Sequence, residues 1–475
     1  MTILAAMAAW TSPVLLVVVA AQVATGAPDA PLLVLVAVVA PLAALLRRSA
    51  RAAPGGGAGG VLTVAVAGLL VWANLLVFAE AAALLGAARW HGGVVAGAVL
   101  LLTIPRRAGD RWRAALVTAG LTLVLVPLAA LAARSGTPPW TAWTAGASRM
   151  ALTLGERSTW VTPGERFPRG ALLDFTEGHR VVAVTPGTYR VVERDGARTV
   201  VREWQLGLGE TLALRPGDRL VVNAGAQLRF EAGKRVPGAV PTGVAWADPP
   251  ERRHGERLLA WLGATLTLLG GAVVLVRPAR RIRPGAAVAA PTLLLVAVLG
   301  ATSWGVYGAT LAPELTAGAS LAAPLVRLPG VVAGGTAGRV LGFVACAGLL
   351  GLLAVAGWGL RDRVVTAGGR HGVVVWAVLV AMASVLAAIP ADPWPVLAAG
   401  LGLAASAGAA PLLARGGRVA GAAGSVAGAA AFGALALVAP PLSGSLGALV
   451  AWPALVAAPL GWGVTTVVAR PWGRA

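Results

Sequence analysis

Cysteine is almost missing from this chain: among 475 residues, Cys346 is the only one. Without a second thiol there can be no intrachain disulfide and no cysteine-based metal site. Any folded part must therefore hold by packing alone. Lysine is equally scarce, occurring only at Lys234, while Arg, Ala, Gly and Val abound, a composition expected of a GC-rich bacterial genome. Charged residues make up 12% of the chain and hydrophobic ones 57%, which excludes an ordinary soluble globule and points to the membrane class. The few histidines, His91, His179, His254 and His371, fall outside the long apolar runs and lack metal-ligand spacing. They are expected to be solvated loop residues, so no metal and no cofactor are expected. Walker A, Gly-x-Ser-x-Gly, His-Glu-x-x-His and Cys-x-x-Cys-His patterns are also absent, which argues against familiar catalytic chemistry.

What the chain does have is a series of apolar runs. They occupy residues 1–26, 31–46, 61–86, 94–104 and 114–133, then 257–276, 285–311, 340–360, 373–389, 396–414, 419–438 and 446–469. The sequence thus predicts a polytopic α-helical membrane protein of about 12 spans, five in a block over 1–133 and seven over 257–475. The first run lacks a basic leader, and a retained helix is expected rather than a cleaved signal peptide. Arginines cluster at 47–51, 106–113, 277–283, 361–371, 415–418 and 470–474, all on one side if twelve spans alternate. The turns at 27–30, 391–395 and 440–445 carry no basic residue, and 88–93 carries only Arg89. This asymmetry predicts both termini in the cytoplasm and residues 134–256 outside, in a bacterial cytoplasmic membrane. It also accounts for much of the net charge of +20, so nucleic acid is not an expected partner. Trp90, Trp140, Trp143, Trp261, Trp394 and Trp472 lie near run ends, as an interfacial belt requires.

The stretch 134–256 is the one long polar passage, and it reads as an inserted, mainly antiparallel β domain. Asp195-Gly196 suits a type I′ turn between strands over 187–194 and 197–206. Pro216-Gly217 suits the centre of a type II turn in a second hairpin-like unit, between 211–214 and 219–223. With 180–184 and 227–231 this gives five or six strands, a small sandwich or barrel, while 170–175 is a further candidate strand. The flanks 135–139 and 236–250 are Pro/Gly-rich and read as linkers. Over about a dozen residues, Leu214-Arg-Pro-Gly-Asp-Arg-Leu-Val-Val-Asn-Ala-Gly resembles a strand–turn–strand of P-type ATPase actuator domains. Those pumps' Asp-Lys-Thr-Gly motif is absent, and the turn chemistry alone accounts for the stretch.

Candidate functional residues are few. Glu80 is an acid within an apolar run, where a carboxylate is costly and faces a bundle interior or a wet cavity; Asn74 lies nearly two turns earlier. Together they form a candidate intramembrane proton, cation or substrate site. Asp29, Glu314 and Asp392 are acids in or near outward loops; Asp29 is placed as a lipid-linked glycan enzyme would require, though short turns commonly carry Asp as a turn former. Arg149, Arg157, Arg166, Arg169 and Arg180 are candidate contacts for an anionic glycan, a lipid head group or a protein partner. The favoured expectation is an assembly or scaffold subunit whose β domain docks a partner. A transporter or flippase using Glu80 is the alternative, and a lipid-linked glycan enzyme the third. The span count resembles that of major facilitators, but 47–56 lacks their Gly-x-x-x-Asp-Arg pattern.

Overall fold

The computed structural model describes residues 10, 12–24, 30–46, 58–103, 110–136, 138, 159–161, 171–175, 178–195, 198–222, 226–230, 254–276, 284–311, 320–333, 335–408, 418–437 and 452–469. The chain is mostly helical, with a small antiparallel β unit between two helical blocks. The first block contains α1 (Pro13–Ala24), α2 (Ala30–Leu46), α3 (Ala58–Leu84), α4 (Arg89–Leu101) and α5 (Asp110–Ser135). The second contains α6 (His254–Leu275), α7 (Pro284–Leu311), the short α8 (Ala323–Val326) and α9 (Leu328–Ala333), and α10 (Gly335–Gly368). It continues through α11 (Gly372–Leu386), α12 (Pro393–Leu403) with the π-helical Ala404–Gly408, α13 (Arg418–Leu437) and α14 (Ala454–Ala469). Among the described residues, five stretches are long and apolar enough to cross a membrane: Gly60–Leu84, Trp112–Ser135, Pro291–Gly308, Thr336–Leu386 and Val419–Ala436. Pro13–Ala24, Leu33–Ala44, Trp261–Leu275 and Ala454–Ala469 are shorter apolar helices. Such segments become helices because hydrocarbon offers their peptide groups no partner, so each must satisfy itself internally.

Thr336–Leu386 is a hairpin rather than one rod. The 3-10 turn Gly369–His371, with Gly369 at φ +53°, separates α10 from α11. Gly60 at the start of α3 packs on the Ala367 carbonyl, and Leu85 just past its end lies beside Gly342, so α10 runs antiparallel to α3. Gly68 faces Leu379, while Gly93 and Gly97 of α4 meet Ala387 and Ser384, so α11 returns the other way.

Small residues set these helix pairings. A Cβ on Gly348 would lie 2.6 Å from the Gly120 carbonyl oxygen, and one on Gly120 would lie 2.8 Å from the Gly348 oxygen. This reciprocal approach joins α5 to α10 in antiparallel register. Gly424 and Gly461 bring α13 and α14 together in the same way. At one end of the bundle Arg134 lies near the Ala333 carbonyl, and Leu85 near Gly342. At the other, Arg113 meets Asp362, and Arg363 donates to the Leu275 carbonyl. Because α5 finishes at the first end and Leu275 closes α6 at the second, the β unit's two flanking helices share the first end.

Among the described residues the β unit is a sandwich of eight strands, more than the five or six expected. One sheet has the order β1 (Thr159–Val161), β8 (Gln227–Phe230), β3 (His179–Ala183), β6 (Thr211–Leu214). The other has β2 (Ala171–Asp174), β7 (Arg219–Val222), β4 (Gly187–Asp195), β5 (Arg198–Leu206). Val181, Ala183, Leu212, Leu214 and Leu228 from the first sheet meet Leu173, Tyr189, Val191, Leu206, Leu220 and Val222 from the second. Period-two alternation on each strand produces this single core.

Two turn expectations meet different outcomes. β4 extends to Asp195, which pairs with Arg198, and Gly196 of the expected Asp195-Gly196 turn lies outside the described residues. Pro216-Gly217 does form its turn, with Gly217 at φ +93° and the Asp218 amide donating to the Arg215 carbonyl at 3.1 Å. It does not join a hairpin. β6 pairs with β3, whereas β7 pairs with β2 and β4, so this turn carries the chain between sheets.

Candidate functional site

Glu80 is buried near the end of α3, at 5% exposure. Ser320, just before α8, donates its hydroxyl to Glu80 Oε2 at 3.0 Å, and the Ala322 amide also bonds to the carboxylate. Arg89 at the start of α4 and Asp392 before α12 are close enough to act on it electrostatically. Arg89 forms no ion pair among the described residues, and its Nε and Nη2 are buried without hydrogen-bond partners. Glu80 thus lies one helical turn from the end of α3, joined to the connection ahead of α8. That proximity of Ser320 and Arg89 was not legible in sequence, because 240 residues separate Ser320 from Glu80.

Asn74 has a different task. Its Oδ1 accepts from the Val14 amide at 3.2 Å, and its Nδ2 donates to the Leu70 carbonyl at 2.7 Å. Val14 follows Pro13 in the first turn of α1, where backbone donors have no partner within the helix. Asn74 supplies one from a neighbouring helix. Both ends of its amide are committed, and Glu80 finds its partners elsewhere.

Asp392 is the N-cap of α12, its Oδ1 accepting from the Trp394 amide at 2.9 Å. Partial enclosure raises its carboxyl above the ordinary range, opposed by that amide. The arrangement is that of a turn former. Asp29 and Glu314 lie outside the described residues, as do Arg149, Arg157, Arg166 and Arg169. Arg180 is described and exposed, on β3 in register with Ala213. His179 departs from the expected solvated loop: it is 4% exposed on β3, its ring edge-on to Phe175 at 5.0 Å. Of the expected aromatic belt, Trp90 and Trp261 are 52% and 41% exposed, whereas Trp140, Trp143 and Trp472 lie outside the described residues.

The β unit offers a surface that sequence reading passed over. β5 ends its sheet, pairing with β4 alone among the described strands. From Val200 to Gln205 every residue is exposed, on both faces. Val200, Val201 and Trp204 are 41%, 60% and 40% exposed, and of β5 only Leu206 joins the core between the sheets. Arg190 bonds Glu203 at 2.9 Å and Arg202 bonds Glu193 at 3.3 Å, so the neighbouring charges are already paired across the ladder. An edge of nine residues with open backbone groups is a template for another strand. No group of three or more His, Cys, Asp or Glu able to hold a metal occurs among the described residues. No known family, curated protein or solved structure matches the chain.

Proposed function

We propose that the protein is an integral membrane scaffold subunit whose β sandwich docks an extended segment of a partner protein along β5. The carrying observation is that edge, a long strand exposed on both faces and lined by Val200, Val201 and Trp204. Backbone bonds from an added strand supply affinity, and the alternating apolar side chains supply selectivity. A second copy of β5 fits poorly. In a continuous two-fold sheet a strand centred on Arg202 or Glu203 sets that residue opposite itself, which places like charges together.

Twelve passes in a bacterial cytoplasmic membrane belong to the same proposal, with both termini inside and residues 134–256 outside. Support comes from helices at each of the twelve apolar runs and from the antiparallel packing of the helix pairs described above. The arginines Arg113, Arg361 and Arg363 lie at the bundle end opposite the β unit's flanking helices, in keeping with the positive-inside bias. The transport reading has less support. Asn74 is committed to α1, and Glu80 is held by Ser320 near a helix end.

The test is affinity purification from native membranes, comparing the wild type with a Val201→Lys, Trp204→Ala double variant. Both positions are solvent-exposed, so the variant is expected to fold and melt like the wild type. A protein recovered with the wild type and lost with the variant supports docking at β5. Recovery of no β5-dependent partner would sink the scaffold reading.

A further inference from the structure

The register between β4 and β5 decides which side chains an added strand would meet. Trp204 pairs with Tyr189, Arg202 with Val191 and Val200 with Glu193. Tyr189 and Val191 belong to the sandwich core, so Val200, Arg202 and Trp204 stand on the core-facing side of the sheet, in line with buried Leu206. Val201, Glu203 and Gln205 stand on the other side. Each side thus ends in a row of exposed side chains along the open edge.

From Val200 to Gln205 each row contains one charge, and the two are opposite in sign. Arg202 bonds Glu193 at 3.3 Å and Glu203 bonds Arg190 at 2.9 Å, both partners lying on β4. The Arg202 and Glu203 side chains remain 58% and 61% exposed, and no described strand lies on their side away from β4. Opposite charges on neighbouring strands stabilise a ladder, and like charges directly opposite one another destabilise it. A strand beyond β5 would therefore continue each row by alternating sign. Arg190 and Glu203 call for a base next in their row, and Glu193 and Arg202 for an acid. Val200, Val201 and Trp204 call for apolar neighbours.

We propose that the segment docked on β5 is an antiparallel strand with an acidic residue opposite Arg202 and a basic residue opposite Glu203. Apolar residues lie opposite Val200, Val201 and Trp204. This pattern rests on the docking role given to β5 above and names the chemistry of its occupant. The antiparallel direction follows the sandwich, in which every described strand pair is antiparallel, the more stable arrangement per residue. From its own N-terminus the occupant then runs apolar, basic, acidic, apolar, apolar.

The experiment titrates the full chain in detergent into fluorescein-labelled Thr-Val-Lys-Glu-Val-Val-Thr and, separately, its charge-exchanged form Thr-Val-Glu-Lys-Val-Val-Thr, read by fluorescence anisotropy. The first should bind roughly tenfold more tightly, because the exchange turns two opposite-sign neighbours into like ones. An Arg202→Gln, Glu203→Gln double variant should bind both peptides alike. It should also melt close to wild type, since exposed ion pairs contribute little to folding. Equal binding of both peptides to the wild type, lost in the Val201→Lys, Trp204→Ala variant, overturns the charge pattern and leaves docking at β5 standing. If neither peptide binds while a β5-dependent protein is still recovered from membranes, the pattern alone falls. If neither peptide binds and no such protein is recovered, the docking role falls with it. A β5-dependent dimer of the full chain, detected by light scattering without peptide binding, also overturns the proposal.

Discussion

Two buried side chains on α3 show how a polar group inside this bundle is kept. Asn74 completes the first turn of α1, and Glu80 ties α3 to the connection ahead of α8. Asn74→Leu would leave the Val14 amide buried without an acceptor, at a cost of about 1–2 kcal/mol, read as a lower melting temperature in detergent. Glu80→Gln keeps an oxygen for the Ser320 hydroxyl and should melt close to wild type, with partner recovery unchanged. Glu80→Ala removes the acceptor of both Ser320 and Ala322 and should cost about 1–3 kcal/mol in the same assay. Loss of partner recovery in a stably folded Glu80→Gln would count against the scaffold reading, because β5 does not need that charge.

At the scale of elements, glycine contacts set how closely helices approach, and turn geometry sets which strands pair. Gly348→Val would drive its Cβ into the Gly120 carbonyl, a backbone atom that cannot swing aside. The expected destabilisation is about 1–3 kcal/mol, with Gly433→Ala as a control, since nothing lies within 4 Å of a Cβ there. Much at this scale was legible in sequence. Apolar length forecast the helices, Pro216-Gly217 forecast its turn, and the strands at 180–184, 187–194 and 211–214 fall where alternation put them. Pairing was not legible. Sequence reading treated β6 and β7 as a hairpin because a short turn joins them, but a type II turn can equally carry a chain across a sandwich. Which outcome occurs depends on β3, with which β6 pairs, and on β2 and β4, between which β7 inserts. His179 was misread for a related reason: its neighbours are polar in sequence, while its burial comes from the opposite sheet and Phe175.

For the molecule as a whole, the consequential proposal is that the β unit and the ion pair of Arg113 and Asp362 face opposite sides of a membrane. A Cys346→Ala background allows a direct test with a membrane-impermeant maleimide on intact cells. Val201→Cys, on exposed β5, should label without permeabilisation. Arg370→Cys, exposed at the turn between α10 and α11, should label only after the cells are opened. The reverse pattern, or equal labelling, would refute the proposed orientation.

The sequence by itself determined the helical character of the two blocks and the β character of the polar insert. Both follow from local physics: an apolar run must satisfy its own peptide groups, and alternating strands between turns must stack a common face. Tertiary structure alone decided the partners. It assigned Asn74 to α1 and Ser320 to Glu80, left β5 as an open edge, and brought Arg113 beside Asp362 across some 250 residues of chain. Those contacts depend on which helices and sheets lie side by side, and no single segment carries that information.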